Sequence, residues 1–208
     1  MKKITLSFLF LLPLLAIAQC YFSKFDCNHL YIVVRGTKTK QRFIAHNFNL
    51  IDSNITHVGI GLLDKKDKKF KIYNIIPTNS GAAFTIDSVK SFLSPGDIYY
   101  YGIWKIRLSK SKQKISQEVI EKYRTKKVLF DYDFQIKDDN LLYCSEFVWL
   151  VLSQIDKKVF AFKPISKELD ADSIGRILKR DTLVYIPLDF FLFNKRFKKI
   201  VGDKIITN

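Results

Sequence analysis

The chain has 208 residues, a length that suits one domain better than two, and carries 35 Lys+Arg against 20 Asp+Glu, a formal charge of +15. With 48% hydrophobic residues and 18 Phe it is too apolar for a disordered chain, and 8 Gly with 5 Pro exclude collagen-like or low-complexity polymers. Three cysteines are too few for a disulfide scaffold and too scattered for a zinc ribbon.

Met1-Lys2-Lys3 is a short positive start, Ile4 to Leu15 is nearly all apolar, and Ala16-Ile17-Ala18 supplies the small-x-small pattern of a signal peptidase site. The apolar run is too short for a stable membrane span. We therefore read residues 1–18 as a signal peptide and 19–208 as a single domain, periplasmic or secreted. Export turns the basic surface away from nucleic acid and towards anionic envelope polymers, a membrane surface or an acidic substrate. Gln19 stands where a lipoprotein signal wants a small residue, so lipid anchoring through Cys20 is the less favoured reading. A Cys20–Cys27 disulfide would close a short loop worth about 2–3 kcal/mol, the alternative being two unpaired thiols near the new N-terminus.

In chain order, His29 to Arg35 reads as a strand, and Arg42 to Ile51 as a short helix with Phe43, His46 or Asn47, and Leu50 along one stripe. Ile55 to Leu63 and Phe70 to Ile76 form a hairpin around the charged turn Asp64 to Lys69. Asp87 caps a short helix through Leu93, and Ile98 to Leu108 is a long aromatic strand. Ile115 to Leu129 is helical, with Ser116 as N-cap. Asn140 starts a helix over Leu141 to Ile155 that is apolar all round at Phe147 to Leu152, hence central and buried. Thr182 to Ile186 is a strand, followed by Pro187 and a basic-aromatic end. Helices and antiparallel strands mix irregularly, which gives an α+β class.

Cys144, in Leu142-Tyr143-Cys144-Ser145-Glu146-Phe147-Val148, sits near the start of the buried helix. Free N–H groups and the helix dipole there favour a thiolate and can serve an oxyanion. Glu146 would raise the thiol pKa, but its first-turn position suits it to satisfying N–H groups. A free Cys in such a setting is otherwise a small core hydrophobe. A nucleophilic Cys needs a base, and His57 lies on a strand in which Gly59 and Gly61 leave space on its own face. Across a turn of four or six residues, Asn74 falls on the same face as His57, directly opposite or diagonal, and is a candidate to orient the imidazole. Cys20, Cys27, His29 and His46 match no zinc spacing, and no metal or other cofactor is expected.

The His57-Val58-Gly59-Ile60 strand, a polar residue on the next strand and the late Tyr143-Cys144-Ser145-Glu146 segment together resemble the circularly permuted papain-like hydrolases of the NlpC/p60 superfamily, YaeF/YiiX-like group. Phe130-Asp131-Tyr132-Asp133-Phe134 is similar to the segment that precedes the Cys in that group. The resemblance spans roughly Leu30 to Ile155, and more weakly Pro187-Leu188-Asp189. It implies a permuted papain-like fold, an antiparallel sheet packed on the buried helix that carries the Cys. It also implies a cysteine hydrolase of amidase or peptidase type, with Cys144 as nucleophile, His57 as general base and Asn74 as the orienting polar residue. Tyr143, Ser145, Glu146 and Gly59 are supporting residues. Asn74 departs from the acidic residue common in the group, and Asn28-His29-Leu30-Tyr31 from its Gly-Asp opening. The expected substrate is a peptide, cell-wall or lipid-derived amide or ester. Lipid acyl transfer on the same residues, or a non-catalytic envelope-binding protein that keeps the fold, are the rival readings.

Overall fold

The computed structural model describes residues 25–38, 41–136, 140–169 and 174–205. The expected signal peptide and Cys20 lie outside the described residues. Strand β1 (His29–Thr37) is rich in β-branched and aromatic residues and sits near the middle of a six-stranded sheet. Its alternation fills two cores. Leu30, Ile32 and Val34 enter the large one on one face, and Tyr31 and Val33 the smaller one on the other. On one side β1 pairs antiparallel with β2 (His57–Leu63), and on the other with β5 (Ile98–Arg107).

β2 and β3 (Phe70–Ile75) form the expected hairpin, and Leu63 pairs with Phe70 around the six-residue turn. Lys71 spans that turn with ion pairs of 2.6 Å to Asp64 and 3.1 Å to Asp67. The next strand, β4 (Phe84–Asp87), was not legible as a separate element. Asp87 ends it instead of capping the helix that follows. Ser88 is the N-cap of that helix, α1 (Val89–Phe92), and its hydroxyl accepts from the Ser91 N–H.

Before β2, the helix expected over Arg42 to Ile51 runs only over Gln41–Phe48. Leu50 and Ile51 lie outside it and are exposed, because the Leu50, Ile51 and Asp52 N–H groups donate to the buried Asp189 carboxylate rather than continuing the helix. The long helix α2 (Lys110–Thr125) starts a turn and a half earlier than expected, capped by Ser109. Ser116 is interior and buried, its hydroxyl donating to the Gln113 carbonyl.

Leu141 and Leu142 are extended and pair in parallel with Leu129 and Phe130, so helix α3 (Cys144–Ile155) begins at the cysteine itself. Phe147, Val148, Val151 and Leu152 on α3 are fully buried with Val58 and Ile60 of β2 in the large core. Side chains of this size contribute roughly 1.5–3 kcal/mol each when fully buried. That burial fixes α3 against the sheet.

The C-terminal segment forms a 3-10 turn at Phe190–Phe193 and then the strand Lys198–Lys204, which pairs with β5 as the outer strand. Its lysine-rich sequence masked the strand, and such charge suits an edge strand that must not pair further. Phe190 and Phe191 pack inward while Phe193 stays exposed. Tyr99, Tyr100 and Trp104 are likewise buried by sheet packing. Among the described residues no helix is long and apolar enough to cross a membrane.

Candidate active site

The start of α3 is clamped to the C-terminal segment. The Tyr143 hydroxyl accepts from the Ile186 N–H at 2.8 Å, and the Ser145 hydroxyl donates to the Ile186 carbonyl at 2.7 Å. These bonds hold the residues on both sides of Cys144 to one residue, Ile186, so the cysteine backbone has little freedom. Cys144 itself is half-buried. The backbone N–H groups of Val58 and Ser145 act on its sulfur and favour the thiolate.

The Val58 amide is available because the hairpin opens at that end. The β2–β3 ladder stops at the Ile60–Tyr73 pair. The Asp64 N–H donates to Lys69 across the hairpin, and alternation along β2 points the Val58 N–H the same way, into the gap where the sulfur lies. The thiol is therefore seated beside the residue that follows His57.

His57 and Asn74 meet. The imidazole Nε2 is 2.8 Å from Asn74 Oδ1, both residues being buried. The amide nitrogen of Asn74 donates to Thr85 Oγ1 at 2.9 Å and to Asp87 Oδ2 at 3.0 Å. A carboxylate only accepts, so Asp87 fixes which end of the Asn74 amide carries the oxygen. That oxygen in turn requires a proton on His57 Nε2, which leaves Nδ1 with its lone pair. Asp87 is held by the Ser91 hydroxyl, which donates to its other oxygen at 2.7 Å. Gly59 makes this approach feasible, since a Cβ there would lie 3.0 Å from Asn74 Cβ and 3.0 Å from Ile72 Cγ2.

Burial sets the resting charge of the site. It pushes the Cys144 thiol up to about 11, against the Val58 and Ser145 amides and the Arg35 charge, which pull it down. Burial also lowers His57 to about 3, helped by the Arg35 charge and opposed by the Asn74 bond. Both groups are neutral near pH 7, so the thiolate that the helix start was expected to favour is outweighed by desolvation. Glu146 is buried in the first turn of α3, and its charge acts on Tyr143 rather than being a main influence on the thiol.

Sequence reasoning missed Asp87, read as a cap, and Thr85, which has no local signal. It also missed Arg35, opposite His57 in the β1–β2 register. Asp189, fully buried and bonded to three successive amides, was touched only through the resemblance. Cys27 is half-buried, and the other half of the possible Cys20–Cys27 disulfide lies outside the described residues. His29 bonds Asp26 at 2.8 Å, and His46 is exposed.

A cysteine at the head of a buried helix, set against an antiparallel sheet that carries a histidine and an asparagine, defines the papain-like class. Here the histidine strand precedes the cysteine helix. The chain belongs to the permuted papain-like amidase family YaeF/YiiX, C92, whose model matches residues 32–181. It is thus a cysteine hydrolase of the amidase type. The fold is similar to that of the metalloprotein yiiX from Escherichia coli O157:H7, with a TM-score of 0.64 and 15% identity over 86% of this chain and 99% of that one. No curated protein matches the sequence. Although that relative is described as a metalloprotein, among the described residues here no group of three His, Cys, Asp or Glu side chains is placed to hold a metal ion.

Proposed function

We propose that the protein hydrolyses an amide bond through Cys144, His57 and Asn74, by way of an acyl-enzyme. The observation that carries this reading is the 2.8 Å bond from His57 Nε2 to Asn74, whose orientation Asp87 fixes. It leaves Nδ1 as the basic nitrogen on the residue next to Val58, whose amide acts on the Cys144 thiol.

Because both groups rest neutral, deprotonation and attack are coupled. Nδ1 takes the thiol proton as sulfur bonds to the carbonyl carbon, and N–H groups at the start of α3 stabilise the oxyanion. The C–N bond then breaks and the imidazolium gives its proton to the departing amine. Water attacks the thioester, His57 takes the water proton, and the C–S bond breaks to release the acid and restore the thiol. Asn74 keeps the ring in register and, being neutral, adds no charge to support an imidazolium.

The leader at residues 1–18 supports action outside the cytoplasm, on peptide or cell-wall amides, with the basic surface contacting anionic envelope components. A lipid acyl substrate is the second reading. A cleft of about 320 Å³ lined by Phe160, Phe162, Phe190, Phe191, Phe193 and Phe197 favours it, although that cleft borders Leu152 rather than Cys144.

The test is site-directed. An acyl-amide activity probe should form a thioester on Cys144 identified by mass spectrometry, His57→Ala should suppress it, and Asn74→Ala should slow it. A native Cys144 that reacts no faster than in the denatured chain would sink the reading.

A further inference from the structure

Arg35 is the cross-strand partner of His57 and lies on the same face of the sheet. It is half-buried. Its Nη1 donates to the Phe92 carbonyl at 2.5 Å, and the guanidinium lies 4.7 Å over the Phe92 ring. The same ring packs 5.4 Å from the His57 ring. Phe92 therefore holds the cation and the imidazole against one another.

Among the described residues the charge of Arg35 has no counter-ion. Its Nε is buried without a hydrogen-bond partner, and no described carboxylate forms an ion pair with it, Asp87 and Asp97 acting from farther away. A cation withdrawn from water without a partner is costly, so the folded protein carries an unmet demand for an anion at this point. The demand falls beside the nucleophile, since the same charge acts on Cys144 and His57.

We infer that Arg35 is a substrate-recognition residue that takes a carboxylate on the acyl portion of the substrate, close to the carbonyl that Cys144 attacks. The planar guanidinium fork matches a carboxylate, and one positive charge balances one such group. The inference rests on the reading of Cys144 as the nucleophile. It narrows the substrate class to amides of acids that bear a second, free carboxylate. The cation–π and carbonyl contacts with Phe92 preorganise the fork, so little side-chain freedom is lost when the anion arrives.

Alkylation of Cys144 by iodoacetate and by iodoacetamide, quantified on the Cys144 peptide by mass spectrometry, reads this directly, because the two reagents differ by one carboxylate. The iodoacetate-to-iodoacetamide rate ratio should fall about tenfold in Arg35→Gln and be largely kept in Arg35→Lys, as expected for loss of one nearby charge. An unchanged ratio in Arg35→Gln, with Cys144 reacting in both proteins, overturns the assignment and leaves the nucleophile reading intact. Failure of both reagents on native Cys144 overturns the two together. Should Arg35→Gln not fold, the unmodified protein still decides the matter. Glutarate should protect Cys144 from iodoacetamide where sodium chloride of equal ionic strength does not, and equal protection overturns the inference.

Discussion

Replacing His57 with Gln should remove a specific acid sensitivity from folding. Burial and then the Arg35 charge lower the imidazole from 6.5 to about 3, against the opposing Asn74 bond. Below 6.5 the unfolded chain binds a proton that the folded protein refuses, so stability is undiminished above 6.5 and is lost as pH falls towards about 3. Each pH unit in that window costs roughly 1.4 kcal/mol. Between about pH 6.5 and about pH 4.5 the loss is about 3 kcal/mol, a large share of a typical domain's stability. Gln is the apt replacement because its amide nitrogen can stand at the Nε2 position and donate to Asn74 without titrating. Urea unfolding of both proteins at about pH 7 and about pH 4.5 provides the measurement, and carboxylates common to both cancel in the difference. At an m-value of about 2 kcal/mol/M, the wild-type midpoint should drop by about 1.5 M more than that of the variant. If the stability difference between the two proteins stays constant over this range, His57 is not a buried neutral imidazole and the coupled proton transfer loses its basis.

Other expectations follow from the same contacts. Gly59→Ala places a Cβ 3.0 Å from Asn74 Cβ and should destabilise the fold by about 1–3 kcal/mol while slowing Cys144 labelling, as read by urea midpoint and mass spectrometry. Asp87→Ala deprives the Asn74 amide of its charged acceptor and should slow acylation about tenfold, with Asp87→Asn intermediate, measured as probe turnover. Asp189→Ala leaves the Leu50, Ile51 and Asp52 N–H groups without their acceptor and should cost about 2–3 kcal/mol in urea unfolding. With the thiol raised to about 11, iodoacetamide alkylation of Cys144 in His57→Gln should keep rising beyond about pH 9, whereas a plateau near neutrality would contradict burial as the governing influence.

The helix starts show where reading along the chain falls short. Ser109 and Ser116 are both able to cap, but the buried stripe of α2 runs through the polar Gln113 and Ser116, so hydrophobic spacing placed the start too late. At α3 the apolar Leu141 and Leu142 read as helix, yet they pair with Leu129 and Phe130 as strand. That long-range pairing is what brings the helix N-terminus onto Cys144.

The chain by itself determined the alternation of the central strands, the six-residue charged turn as one of two options, the shared face of His57 and Asn74, and the cysteine near the head of a helix that is apolar all round at Phe147 to Leu152. These follow from side-chain direction, which repeats every two residues in a strand and is therefore written locally. Only the tertiary structure decided that Asp87 anchors Asn74, that the hairpin opens so that the Val58 amide acts on the thiol, and that Arg35 stands opposite His57 with no counter-ion among the described residues. Strand order, hairpin opening and burial depend on contacts between residues far apart in sequence, and burial in turn decides that both catalytic candidates rest uncharged.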